Sequence, residues 1–231
     1  MTTQQGDPVI DTIKPVPPPV EDRDDTPTSC EGTALDEHAI SQGLLPWQDE
    51  VLTWLARGTE RTVVHDGPPM SETTELFADL TFANRAGLLT LCSQPARCDQ
   101  RAFLEALAPP ALAVHLAAEL TAAGLWVSAW PMTGPYPSIT RVPVTAADLP
   151  TTGMAPLGTH DPQPRGYAPN DEPDLARDIA EDTLALHQND RAVAASWWLM
   201  ITDPEWDRTR YLWDAVAETL SVSATKMKET S

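Results

Sequence analysis

Cysteine, lysine and positive charge in general are scarce in this 231-residue chain, and long apolar runs are missing from it. Three cysteines, Cys30, Cys92 and Cys98, are odd in number and too few for a disulfide scaffold. Cys92 and Cys98 have no second cysteine pair or histidine at ligand spacing, so no metal site and no cofactor are expected. Against 34 Asp and Glu stand 15 Lys and Arg, a formal charge of −19. Duplex nucleic acid is therefore not an expected partner, because releasing its counterions takes clustered cations. No run approaches the roughly 20 apolar residues that cross a bilayer, so no membrane role is read. Residues 1–11 lack the basic and apolar regions of a secretory signal. The G-x-S-x-G elbow, the phosphate-binding P-loop, the G-x-G-x-x-G turn and the H-E-x-x-H pair are also absent, which removes the commonest hydrolase, NTPase, dinucleotide and metalloprotease readings. A reduced cytoplasmic protein is the expectation.

What the chain does have is apolar content for a core, 42 % of its residues with 8 Trp among them. Its acidity is unevenly spread. Residues 1–37 hold nine acids against Lys14 and Arg23, beside the run Pro15-Val16-Pro17-Pro18-Pro19. Such a segment buries too little apolar area to offset its ordering entropy, and 1–43 reads as a disordered leader. Residues 161–190 add eight acids against two arginines, so the remainder is only mildly acidic. The Pro-rich stretch 150–170 reads as a long functional or mobile loop, and 221–231 as a flexible tail. Residues 44–220 are left as a single α/β domain.

Within it, 44–57 reads as a helix with Val51, Trp54 and Leu55 inward and Gly58 as its stop. Ser71 opens a second helix that places Leu76, Leu80 and Ala83 on one stripe and ends at Gly87. Residues 88–92 read as a strand, and 99–123 as a helical region interrupted by Pro109-Pro110. Strands at 125–130 and 138–144 are joined by a Pro- and Gly-containing turn that suggests a hairpin. A helix from Pro173 to about His187 follows. Trp197-Trp198-Leu199-Met200-Ile201, apolar without alternation, marks a central strand, and 208–220 reads as the last helix. From residue 88 the order is β-α-β-β-α-β. The predicted class is α/β (α+β): a single domain with a four-stranded sheet, ferredoxin-like or mixed three-layer, flanked by N-terminal helices and a C-terminal helix.

Candidate chemistry gathers at two strand ends. Ser93 and Gln94 follow the first strand, where scaffolds display polar groups, and Arg85 nearby offers a cation for an anionic ligand. The same residues also suit a plain turn and a helix end. Cys92 could be a nucleophile if His65, His115, His160 or His187 came close; it also fits as a small core residue. Asp203, Glu205 and Asp207 lie within five residues at the end of the 197–202 strand, with Trp206 among them. Carboxylates so placed bind cations or work as acid and base, but Asp203 before Pro204 is also a turn starter and Asp207 a natural N-cap.

Glu72-Thr73-Thr74, Asn84-Arg85-Ala86-Gly87-Leu88-Leu89-Thr90, Cys92-Ser93-Gln94-Pro95, and Asp203-Pro204-Glu205-Trp206 followed by Leu212-Trp213 together resemble an actinobacterial, Streptomyces-type family of domains of unknown function. Its members read ET...NRAG.LT..SQPG and DPEWGR...LW. The likeness spans about 68–220. This chain departs from it with Ala96 and Asp207, each where the family pattern has glycine. The resemblance implies no activity and draws attention to Ser93, Gln94 and Glu205 more than to Cys92.

The leading expectation is a cytoplasmic binding or interaction module without catalysis. Its tentative ligand site is made of Arg85, Ser93, Gln94, Asp203, Glu205 and Trp206, and its partner is a small molecule or a protein. Should the two strands be central and parallel, both ends fall on one edge of the sheet. The alternatives are an enzyme using Ser93 or Cys92 with Glu205, and an acidic mimic of phage or mobile-element origin that occupies a basic partner.

Overall fold

The computed structural model describes residues 35–229 except 59–60, 63, 147–151, 160–169 and 189. The leader up to residue 34 lies outside the described residues. The first helix, α1 (Glu37–Arg57), starts earlier than Pro46 suggests. The Asp36 carboxylate accepts the Ala39 amide at 2.7 Å, and Ile40 and Leu44 extend the stripe of Val51, Trp54 and Leu55. Gly58, at φ 61°, ends it. A 3₁₀ turn (Thr73–Leu76) leads into α2 (Phe77–Arg85), and then the chain forms β1 (Leu89–Gln94).

Residues 103–108 correct the expected helix. Phe103–Ala108 is β2, antiparallel to β1 on one side and to β7 (Trp197–Thr202) on the other. Phe-Leu-Glu-Ala-Leu-Ala carries good helix formers, but six register partners on β7 outweigh a propensity of a few tenths of a kcal/mol per residue. Helix α3 (Pro110–Ala122) follows with Pro110 at its N-terminus, then β3 (Trp126–Pro131).

The expected hairpin of β3 with β4 (Ile139–Pro143) does not form. β3 pairs with β7 over six residues, whereas β4 enters a separate sheet between β5 (Thr152–Pro156) and β6 (Asn170–Glu172). β5 lies within the stretch 150–170 read as a loop and β6 starts at its last residue, so that stretch is partly sheet; 160–169 lies outside the described residues. The chain continues through α4 (Leu175–Leu186), α5 (Arg191–Ala195), β7 and α6 (Tyr211–Glu229). The last helix thus runs on through the expected tail, with the Ser221 and Ser223 hydroxyls bonded to carbonyls one turn back.

The main sheet is four-stranded and antiparallel throughout, in the order β1-β2-β7-β3, with β7 central as its unbroken apolar run predicts. The helix-and-strand class, the four strands and the flanking helices are as expected. The membership is not, since β2 replaces β4, and, with the second sheet's strands set aside, the chain enters the sheet as β-β-α-β-α-α-β. One face packs against α2 and α3, with α6 behind them; the other is covered by α1 beside β1 and by β5 over β3 and β7.

The two sheets meet without room to spare. A Cβ added at Gly153 would lie 2.7 Å from Val144 Cγ1 and 2.9 Å from Thr202 Oγ1. Gly153→Ala is expected to lose about 1–3 kcal/mol of unfolding free energy in urea titration, the usual cost of overpacking a core. Among the described residues no helix is long and apolar enough to cross a membrane.

Candidate functional site

The antiparallel pairings place Gln94, Phe103, Thr202 and Trp126 in one row. β1 and β7 run in the same direction with β2 between them, so the two strand ends singled out in the sequence share an edge of the sheet. They carry different structures.

At the end of β7, Asp203 is fully buried and accepts the Glu205 amide at 2.9 Å, making Pro204 part of an Asx turn. Arg208 reaches the same carboxylate through Nε at 2.8 Å and Nη2 at 2.6 Å and lies 3.7 Å over the Tyr211 ring. Burial opposes the Arg208 charge, but the hydrogen bond and charge of Asp203 outweigh it and hold its pKa above the ordinary value. Beside this pair the buried Arg101 guanidinium donates to the Pro143 carbonyl at 2.9 Å, 4.2 Å from the Trp206 ring and 5.1 Å from that of Trp126. Glu205 is exposed.

Asp207 does not cap α6, which begins at Tyr211; its own φ is 65°. A left-handed residue explains why glycine stands there in the pattern the sequence resembles. Asp207→Gly is expected to leave the melting temperature unchanged or raised, and Asp207→Val to lower stability by about 1–2 kcal/mol, since a β-branched residue cannot take that conformation cheaply.

At the end of β1 the Gln94 amide donates to the carbonyls of Arg101 at 3.0 Å and Val144 at 2.9 Å, tying the two sheets together. Upstream, Asn84 donates to Thr90 Oγ1 at 2.8 Å and accepts the Thr90 amide at 3.3 Å, closing α2 onto β1 through the Gly87 turn. Arg85 is exposed in the last turn of α2, where its charge suits the helix dipole. Arg85, Asp203, Glu205 and Trp206 do not line the cavity that Ser93 and Gln94 do.

That cavity, about 390 Å³, follows the free edge of β1. Its walls are Trp54 from α1, the 64–68 loop, Met70, Glu72 and Thr73, Leu80 from α2, and 90–94 with Phe103. Thr62 shapes the loop: its hydroxyl accepts the His65 amide at 2.8 Å and lies 3.0 Å from His65 Nδ1. The Trp54 indole donates to the Gly67 carbonyl at 2.9 Å and stacks on the His65 ring at 4.0 Å. A smaller groove between α3 and α6 is lined by His115, Glu119 and Glu218 among others; it holds one of the candidate bases but neither Cys92 nor any residue of the expected ligand site.

His65 and Cys92 thus meet in one cavity, a proximity that sequence spacing could not reveal. Burial lowers the His65 pKa to about 4, although the Leu91 carbonyl accepts from the ring and works the other way. Burial, reinforced by the charges of Glu105 and Glu72, pushes the Cys92 thiol up to about 12. Both directions run against the thiolate with an imidazolium partner that cysteine catalysis needs.

Sequence reading missed Glu105, because a strand was taken for a helix. Register sets Cys92, Glu105, Met200 and Ser128 in a single row on one face of the sheet. Glu105 is largely buried, and burial pushes its carboxyl up to about 7. Among the described residues no hydrogen bond or ion pair reaches it. One charged residue inside an otherwise apolar segment was the available sign. No group of described residues forms a metal site.

The fold and site together define a mixed helix-and-strand domain with a small-molecule-sized cavity against a sheet edge. The model of a domain of unknown function (DUF6919) matches residues 49–223, about three quarters of the chain, and the chain belongs to that family. None of the curated proteins compared with it matches.

Proposed function

We propose that the protein is a cytoplasmic, non-catalytic binding module of actinobacterial origin whose ligand is a small molecule held along β1. The observation that carries this reading is the cavity itself. Its volume lies in the range of ligand pockets, its walls are largely apolar and aromatic, and Ser93, Thr73 and His65 supply a few polar groups among them. Cys92 and Cys98, neither of them in a disulfide, fit a reducing compartment, and Arg well in excess of Lys fits a high-GC genome. Ser93 and Gln94 belong to the binding edge. Asp203, Glu205 and Trp206 brace the neighbouring turn, and Arg85 stays at the solvent side of α2.

A thermal-shift screen of the full chain against nucleotides, amines, organic acids and common metabolites tests this. A true ligand at 100 times its Kd adds about 2.7 kcal/mol. Cys92→Phe, which fills the cavity from its exposed wall, is expected to abolish that shift. A compound that stabilises both proteins equally binds elsewhere and overturns the assignment.

A further inference from the structure

The cavity has a sign of charge. Asp66 and Glu72 line it and, among the described residues, no lysine or arginine does. Arg61 lies 3.3 Å from Asp66, with both side chains out in solvent. One residue further in, Glu105 stands opposite Cys92 on the same face of the sheet, and its carboxyl has no partner among the described residues. Directly opposed residues of an antiparallel pair hold their Cβ atoms about 5 Å apart, so this carboxyl is a close neighbour of the cavity wall. A bare carboxylate in such a place is costly and is stabilised by an opposite charge brought to it. Trp54, Val64, Pro68, Leu91 and Phe103 provide the apolar surface around it.

We propose that the cavity takes an organic ammonium ion with an apolar body, the ammonium lying between Glu72 and Glu105 beside Cys92 and the body against Trp54, Leu91 and Phe103. This rests on the cavity being the ligand site. Three consequences of the local chemistry support it. The Cys92 thiol already registers negative charge from both Glu105 and Glu72. His65, lowered to about 4, adds no positive charge to compete. An anion would meet two carboxylates with no counter-charge in the lining, while a neutral ligand would leave Glu105 as it is. Because Glu105 titrates near 7, an incoming ammonium ionises it, and binding tightens as pH rises from 6 to 8. The titratable group opposite it is Cys92 on β1, and those lining the cavity in front are Asp66 and His65 on the loop and Glu72 ahead of α2.

Isothermal titration of the full chain at low salt with 2-phenylethylammonium, 2-phenylethanol and 3-phenylpropionate separates the possibilities. The ammonium is expected to bind at least about tenfold more tightly than the alcohol, a difference of about 1.4 kcal/mol, and the carboxylate not at all. Glu105→Gln should remove the ammonium's advantage, with its fold checked by circular dichroism. Glu218→Gln, a charge lost from α6, should retain it. If the alcohol or the carboxylate binds as well as the ammonium, or Glu105→Gln keeps the preference, the charge assignment is wrong while the cavity remains a ligand site. If the screen above finds no ligand for the cavity either, both readings fail.

Discussion

Arg208→Met is expected to lower the unfolding free energy by about 3–5 kcal/mol, the largest single effect away from the apolar core. The Asp203 side chain is 0 % exposed, and after this change the Glu205 amide alone among the described residues would donate to its carboxylate. What the substitution removes is less the attraction of the pair than the compensation of a carboxylate already out of water. The double variant Asp203→Asn with Arg208→Met is therefore expected to be more stable than Arg208→Met alone, since it leaves no bare charge. Urea titrations of the three proteins decide it. A loss below about 1 kcal/mol in the single variant would mean that the pair behaves as a surface ion pair.

Glu105→Gln is expected to raise stability at pH 8 by about 2–3 kcal/mol while changing little at pH 4.5. The sign follows from the direction of the shift. A carboxyl whose folded pKa is raised to about 7 binds more protons in the folded state than in the unfolded one between about 4.5 and 7. Its contribution is fully present at the acid end and is lost as pH rises through 7. His65 works in the opposite sense. Its folded value near 4 lies below the ordinary 6.5, so its contribution is present above 6.5 and lost as pH falls toward 4. In the wild type the two slopes oppose each other between about 4.5 and 6.5. In Glu105→Gln the histidine slope stands alone, and melting temperature should climb with pH across that window. A variant with a wild-type pH profile would show that Glu105 is better solvated than its burial indicates.

Much of the resemblance noted in the sequence turns out to be framework. Asn84 and Thr90 clip α2 to β1, Gln94 joins the two sheets, Asp203 holds Arg208, and Leu212 and Trp213 are buried in the core. These residues marked the right region because a sheet edge with a cavity needs firm support on both sides. They marked one side of the cavity, where Thr90 and Gln94 line it, and not the other. Trp54 and His65 come from α1 and the loop after it, and Glu105, behind the wall, from a strand concealed by its helix-forming composition. The Cys92 question was legible as a question only, since the surroundings that push the thiol up and the imidazole down come from segments far apart in the sequence.

By itself the sequence determined what can be decided within a few residues. The stripes of α1 and α2, the glycine stop at Gly58, the unbroken apolar run of β7 and the Asp203-Pro204 turn all follow from local sterics and periodicity. Only the tertiary structure decided which strands are neighbours. Residues 103–108 became β2 because β1 and β7 offered two antiparallel partners, and β4 left β3 because β5 and β6 were available to it. Strand pairing is a competition among distant segments for backbone hydrogen bonds and burial, and local propensities are too small to settle it. The missing cations and sparse cysteines of the opening survey acquire a location through the same pairing. It is the register of β1 with β2 that sets Glu105, without a hydrogen-bond partner among the described residues, opposite Cys92 at the rim of a cavity lined by Asp66 and Glu72.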